Sequence, residues 1–564
     1  MLLTPSVLAA GFAIAGYTSH KLYWVRHEFD EQVPRIIFGV NSTWLLLTYS
    51  LSREYSLLKA VCFAATLIGI YGLALFGTIS VYRLYRHPLK HFEGPKWARL
   101  SAWWKVKHIA KAGAHYSLTN QLHERYGEVV RTGPNNLSIN HVEALQAIYG
   151  SHSPCTKPPS YLIGGLVSVQ SERNPHKHKL RRAVWDKALG SNASNAFFPR
   201  LTQMAELLAH RLAERNGEQV SVNDWMHFIT FDVMAQFCFS RDWNQLATGK
   251  IHQGIKYASD YLQFAVYGTQ VPWLAISLMK IPFMPEPQSA MMEFSTKALD
   301  ERMQQEPEIP DAMSYILSEK DPEAQQFLSR HDLESDVFMI MLAGADTSFS
   351  VLVNLCFRLA AQPEYQTKLR EETAAAFNTD GQGRSVVNWP LLSGANFLAA
   401  IINETLRLHP PVPSGMPRVV PREGLTIPLD NASDMLDDSN SIQIPGNAVV
   451  SVPTYRIQRD PRYWVDPHSF VPERWTTKPE MILDRRAFCP FSLGAYGCAG
   501  KYFALMEIKL VIARLVLDFD IKFADNVTSE EMGRTGAKRR FLTTQQDWMT
   551  LQPGPLRLKF EKRK

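Results

Sequence analysis

Pro490–Gly500 reads PFSLGAYGCAG, and Lys501–Phe519 continues it as KYFALMEIKLVIARLVLDF. A glycine-rich, irregular stretch runs straight into a strongly apolar helix, with Cys498 at the junction. A thiolate there is stabilised by the positive end of the helix dipole and by free backbone N–H groups. Gly494, Gly497 and Gly500 permit tight turns and the close approach of something flat and large. Taken alone, Cys498 reads equally well as an ordinary buried cysteine, the commoner fate of a lone one.

The other cysteines are Cys62, Cys155, Cys238, Cys356 and Cys489, and no CxxC pair occurs. That argues against structural zinc, a dithiol redox motif and a disulfide-built scaffold. Hydrophobic residues make up 46% of the 564 and charged residues 20%, a core-forming globular composition. The net charge of +6 is scattered, and no Lys/Arg run marks a nucleic-acid surface.

Ala60–Tyr82 carries no charge over 23 positions. As a helix it would be about 34 Å long, enough for a bilayer core of about 30 Å. Arg83, Arg86, Lys90 and Lys96 follow, which puts the C-terminal side in the cytosol. Leu2–Thr18 and Ile36–Leu51 are shorter apolar runs. The preferred expectation is three spans with a lumenal N-terminus; one span with two interfacial helices is the alternative. Residues 1–90 are thus a membrane region with one to three transmembrane helices, and residues 91–564 one large cytosolic domain.

In that domain, Glu128–Ile139 alternates around Gly133-Pro134-Asn135 as a β-hairpin does. Helical periods cover 141–149, 175–189, 199–215, 222–239 and 395–408. The longest run, His331–Gln362, has no proline. Asp430–Ser441 reads as an acidic surface loop.

Phe491, Gly494, Cys498 and Gly500 match Phe-x-x-Gly-x-x-x-Cys-x-Gly, the haem-binding signature of the cytochrome P-450 family. Asn403–Arg407 (NETLR) resembles its Glu-x-x-Arg helix, Phe470–Trp475 (FVPERW) its Pro-Glu-Arg segment, and Ala343–Ser348 (AGADTS) its oxygen-activation motif. His178–Ala188 (HKLRRAVWDKA) is similar to the helix over the haem propionates in fungal members, and Pro413–Arg418 (PSGMPR) to the strand after Glu-x-x-Arg. The motifs stand in the family's order over roughly residues 95 to 560.

The resemblance implies a mainly α fold with a small β-rich lobe, haem b as cofactor, and Cys498 as the thiolate ligand of its iron. It implies that Phe491, Gly494 and Gly500 shape the ligand loop. His178, Arg182 and Arg418 would meet the propionates. Glu404, Arg407 and Arg474 would form a buried triad, a registry device rather than catalytic groups. Asp346 and Thr347 would relay protons to dioxygen, with Ala343 and Gly344 small enough to let it approach; an alternative is that Thr347 bonds back to a helix carbonyl. One departure stands out: Tyr496 occupies the position, two before the cysteine, where the family usually has a propionate-binding arginine.

The function so implied is a monooxygenase. It would be anchored in the endoplasmic reticulum membrane, face the cytosol, take electrons from NADPH–cytochrome P-450 reductase and oxidise a hydrophobic small molecule in secondary metabolism. Alternatives are an isomerase or dehydratase of the same fold and a non-catalytic haem sensor. Lys177, Lys179, Arg181 and Lys501 form an expected docking face for the reductase. Leu342, Ala343, Thr347, Val412–Ser414 and the loop Thr156–Gln170 are the expected pocket lining.

Overall fold

The helix Arg330–Ala361, 32 residues and about 48 Å long, runs through the middle of the domain. It is apolar nearly all round because other helices cover most of its sides. Val222–Phe239, Ser289–Met303, Asn396–Leu408 and Lys501–Asp518 pack against it. The largest hydrophobic cluster centres there, with Phe338, Leu352, Phe357, Leu406 and Leu510 inside it. The computed structural model describes residues 4–25, 28–113, 115–163, 167–280, 289–379, 385–429, 441–523 and 537–563. The acidic stretch Asp430–Ser441 therefore lies, apart from Ser441, outside the described residues.

Small sheets flank the helices. The expected hairpin forms from Val129–Arg131 and Asn136–Ile139, antiparallel with Val129 opposite Ile139. Val449–Ser451 joins it in parallel, and Arg418–Val419 pairs antiparallel with that strand. This sheet holds a second core around Leu137, Ile139, Val450 and Trp464. The architecture is mainly helical with a small β component.

One helix boundary differs from expectation. The helix expected from residue 199 begins at Ser191 and runs through Pro199 to Ala213. Proline removes one ladder hydrogen bond. The buried contacts of Ala193, Phe197, Phe198 and Leu201 on both sides of it keep the helix continuous.

Before the domain stand three helices, Pro5–Ser19, Val33–Leu51 and Leu57–Val81. The third, extended by a π-helical turn Tyr82–Arg86, is long and apolar enough to cross a membrane. Its Leu73 and Phe76 are 78% and 67% exposed, and Phe38 on the second helix 75%. The helix Arg330–Ala361 has comparable length and apolarity but is buried in the core. Gly16 lets the first helix touch the third: a Cβ there would lie 2.5 Å from the Tyr71 carbonyl. Ser19 and Tyr71 share a hydroxyl–hydroxyl hydrogen bond at 3.0 Å beside it.

Candidate active site

The cysteine loop is closed by its own backbone. The Cys498 N–H donates to the Phe491 carbonyl at 2.9 Å, and the helix begins at Lys501 after Gly500 as cap. Gly494 has φ +61°, and a Cβ there would collide with the backbone of Tyr149 and Gly150. Its smallness serves this backbone crossing, not a flat ligand. At Gly500 a Cβ would meet nothing within 4 Å.

Cys498 shows accessible surface, yet burial pushes its thiol pKa up. The surface it shows thus belongs to an internal space. The Gly500 N–H, Arg182 and Lys501 pull the pKa the other way without prevailing. Coordination of a metal cation deprotonates a thiol outright.

Beside this loop is a cluster of buried cations. Arg418 is 2% and Lys157 3% exposed. Neither has a carboxylate within ion-pairing distance among the described residues. Lys157 Nζ lies 4.6 Å from the Tyr496 ring centroid, and the Arg418 guanidinium 4.9 Å from it. His178 meets the same ring edge-on at 4.6 Å. Arg418 Nη1 donates to the Tyr161 hydroxyl at 2.7 Å, while its buried Nε has no partner. Burial and then the Arg418 charge bring the Lys157 pKa down to about 7. Burial, then Lys157 and Arg182, bring His178 down to about 3, so its imidazole is neutral. Arg182 is committed elsewhere: it donates to the Gly497 carbonyl at 2.6 Å and pairs with Asp186 at 2.7 Å.

Unpaired buried cations are costly, and an anionic partner removes the cost. A dianionic group such as the two propionates of haem fits this donor set. Lys157 lies in the loop expected as pocket lining, but it was not among the residues expected to meet the propionates. Its only sequence signal was a lone lysine in an otherwise apolar loop, TKPPSYLIGG.

The expected triad is assembled and fully buried. Arg407 grips both oxygens of Glu404, at 2.7 and 2.9 Å, and Arg474 Nε reaches Oε1 at 3.0 Å. The Val471 N–H and Trp475 Nε1 complete the carboxylate's shell at 3.0 Å each. Burial raises the Glu404 pKa, but the hydrogen bonds and charges of Arg407 and Arg474 outweigh it, and the net direction is down. Arg407 also binds the carbonyls of Gln458, Pro467 and Ser469. Gln458 in turn accepts the Cys489 N–H at 3.0 Å. The triad thus pins the irregular chain that leads to Cys498.

On the long helix, Ala343 is exposed and Thr347 half-exposed in the middle of a buried element, because both face a cavity. Gly344 does not: a Cβ there would strike Met234 Sδ at 2.5 Å. That glycine lets two helices pack, so only Ala343 supplies the bare spot the sequence assigned to both. Thr347 Oγ1 donates to the Ala343 carbonyl at 2.7 Å. Asp346 is buried and does not itself line the cavity; the Thr550 hydroxyl and Gln552 Nε2 donate to it, the latter at 2.8 Å. Burial raises its pKa, only partly offset by these two donors. Thr550 itself lines the cavity, so it joins Asp346 to the cavity surface. On the cysteine helix, Glu507 is buried, and burial pushes its pKa up to about 8.

The cavity has a volume of about 360 Å³. Leu342, Ala343, Thr347, Val412 and Ser414 line it as expected, with Pro158–Tyr161, Ile163, Ser168 and Gln170 of the loop. Phe338, Tyr261 and Met549 add apolar wall. Lys105, His115 and Asp547 add polar groups that no motif signalled.

Arg181 does not belong to a surface patch. It is 1% exposed and pairs with Asp336 at 2.8 Å and Asp332 at 3.2 Å, with the Val167 carbonyl at 2.6 Å. It is turned onto Asp332 and Asp336, while Lys177, one turn earlier at the start of the helix, and Lys179, on the opposite side, stay exposed. Lys177, Lys179 and Lys501 remain exposed.

Residues 94–546 match the family profile described as Cytochrome P450. The chain is 31% identical to the cytochrome P450 monooxygenase FCK2 of Fusarium pseudograminearum, over 98% of this chain and 97% of that protein. It is 32% identical to the cytochrome P450 monooxygenase notG' of Aspergillus versicolor, over 92% and 93%. With the tryprostatin B 6-hydroxylase of Aspergillus fumigatus it shares 30% identity, over 93% of each chain. The cysteine loop, the triad and the helix Arg330–Ala361 agree with these matches, and the chain belongs to the cytochrome P450 family, as one of its monooxygenases.

Proposed function

We propose that the protein oxidises a hydrophobic organic molecule with one atom of dioxygen, using electrons from NADPH–cytochrome P-450 reductase, in fungal secondary metabolism. The observation that carries this reading is the joint arrangement of Cys498, the uncompensated cations around Tyr496 and the cavity beside Thr347. When bound, haem b supplies the oxygen activation and the redox chemistry. Cys498 would hold its iron, and Lys157, Arg418 and the partly committed Arg182 would neutralise its propionates, with His178 as a neutral hydrogen-bonding neighbour. Ala343 leaves room at the helix surface for a small ligand. Thr347 positions a hydroxyl at the cavity wall, and Asp346 reaches the cavity through Thr550; together they hold and pass protons. This relay supports the monooxygenase over a peroxide isomerase, which needs no proton delivery of this kind. The mainly apolar wall supports a hydrophobic substrate.

The three N-terminal helices would span the endoplasmic reticulum membrane with the catalytic domain on the cytosolic face. The loop after the first helix contacts that domain, which supports an odd number of crossings and a lumenal N-terminus. Exposed Lys177, Lys179 and Lys501 would meet the reductase. Microsomes containing the full chain, fed candidate hydrophobic substrates, should form an oxygenated product only with NADPH and reductase, and the Cys498→Ala form should make none. Product formation without dioxygen would overturn the reading.

A further inference from the structure

Two helices and a strand bring a polar corner to the mainly apolar cavity. Lys105 comes from the helix Trp103–Ala112 and His115 from the start of the helix His115–Tyr126. Gly113, with φ +60°, makes the left-handed turn between them. The strand Gln546–Trp548 closes the corner, where the Asp547 N–H donates to the Gly113 carbonyl at 3.0 Å. The Asp547 carboxylate accepts the Tyr116 N–H at 3.2 Å and the Ser414 hydroxyl at 2.5 Å, and the residue is 1% exposed. Protein donors thus occupy it. Lys105 and His115 differ. Both line the cavity and are half-buried, and among the described residues neither side chain has a hydrogen-bond partner or an ion pair. Burial brings the Lys105 pKa down to about 8. Burial and then the Lys105 charge hold His115 well below its ordinary value. At neutral pH the ammonium is charged and the imidazole neutral. The corner therefore offers unused N–H donors beside an unused ring-nitrogen acceptor.

We infer that Lys105 and His115 form a subsite for an amide group on the substrate, the ammonium donating to the amide carbonyl and a neutral His115 ring nitrogen accepting the amide N–H. The inference rests on the reading that the cavity beside Thr347 is the substrate site. A purely hydrocarbon substrate would leave the Lys105 ammonium desolvated without a partner, which is costly; a carbonyl gives it one. A carboxylate suits the corner less. Among the described residues the charged groups lining the cavity are Lys105, Asp547 and Asp30, one cation against two carboxyl groups. A further carboxylate would add like charge in an enclosed space, whereas an amide adds none. An ester or ketone fills only the Lys105 half of the corner, because it has no N–H for His115. An amide carries donor and acceptor on one rigid group and uses both halves. A few fixed polar groups in an apolar pocket set the orientation of a ligand. This corner thereby selects which carbon of the substrate is presented for oxidation.

The test is calorimetric binding to the full-length holoprotein of three probes that share one apolar body: 4-phenylbutyramide, methyl 4-phenylbutyrate and the 4-phenylbutyrate anion. The amide should bind about fivefold more tightly than the ester, the value of one neutral hydrogen bond, and more tightly than the anion. Lys105→Met should weaken amide and ester alike by about tenfold or more, the value of one hydrogen bond from a charged donor. His115→Phe should lower the amide to the level of the ester and leave the ester near its original affinity. Tightest binding by the anion, or equal binding of all three, overturns the inference. So does a His115→Phe form that weakens the ester as much as the amide. Should Lys105→Met fail to fold, the ranking on the unaltered protein and the His115→Phe comparison still decide. Failure of the cavity reading is distinguishable: Thr347→Trp, which adds bulk inside the cavity, would then leave the affinity of every probe unchanged. A wrong inference about the corner leaves all three probes excluded by that variant, with the ranking on the unaltered protein absent.

Discussion

Lys157 Nζ stands 4.6 Å from the centre of the Tyr496 ring, 339 positions later in the chain. The two residues share the corner where the family usually places one arginine. Tyr496 brings a phenol, and Lys157 brings the charge from a different loop. The ammonium is enclosed, and Arg418 and Arg182 raise the cost of its charge further.

This pairing predicts that Lys157→Met lowers haem affinity by about tenfold to a hundredfold, the value of one charge-assisted hydrogen bond. Adding Tyr496→Arg to that variant should restore most of the loss. Haem transfer to apomyoglobin measures both. The pH dependence has a definite sign. Without haem the Lys157 pKa is about 7, and propionates raise it. Haem binding above pH 7 therefore takes up a proton, so affinity is greatest below about pH 7 and falls as pH rises beyond it. The slope should vanish in Lys157→Met; a slope that persists there assigns the proton to another group.

Cys498→Ala should abolish the thiolate signature of the reduced carbon monoxide complex, while Cys489→Ala retains it. Burial pushes the Cys489 pKa up to about 12, and no cation offsets it. The opposite result would exchange their roles.

Glu404→Gln leaves Arg407 and Arg474 buried without their counter-charge. Breaking one partner of a buried ion pair costs about 3–5 kcal/mol. The holoprotein should melt well below the unaltered form and lose haem on purification. Because the Glu404 pKa is lowered in the fold, its contribution is present above the ordinary glutamate pKa and lost as pH falls through the lowered one. Thermal scans between pH 7 and pH 4 should show a steeper acid loss in the unaltered protein than in Glu404→Gln.

Thr347→Ala and Thr550→Val should both bind haem, carbon monoxide and substrate and still accept electrons. The ratio of product to NADPH oxidised should fall in each, with hydrogen peroxide released instead, because general acids contribute typically about 10²–10⁴-fold. Thr550→Val tests the route from Asp346, since it removes a hydroxyl from that carboxylate without touching the long helix. An unchanged ratio in Thr347→Ala would leave its hydroxyl with only its bond to the Ala343 carbonyl.

Reductase-supported turnover should drop steeply with salt, while peroxide-supported turnover should not, because screening lengths shrink from about 10 Å at 0.1 M toward 3 Å at 1 M. Lys179→Glu should flatten the salt curve. Parallel curves for the two routes would remove Lys177, Lys179 and Lys501 as a docking face.

Much of the site was legible in the chain alone because it depends on local spacing. Cys498 before an apolar helix, Glu404 and Arg407 one turn apart, and a long proline-free helix bearing Ala343 and Thr347 are patterns within a few turns. Other residues were hidden because their partners are remote or their orientation depends on packing. Asp346 meets Thr550 across 204 positions, and Glu28 meets Arg173 across 145. Arg181 reads as surface beside Lys177 and Lys179 until the helix docks and turns it onto Asp336. Gly344 and Gly494 read as clearance for a ligand until Met234 and the Tyr149–Gly150 backbone arrive against them. Sequence by itself singled out the residues proposed for the chemistry, since the motifs that carry the family resemblance are each only a few residues long. Tertiary structure decided which charges gather around Tyr496 and which side chains line the cavity, since burial and Coulomb energy depend on neighbours that only folding brings together.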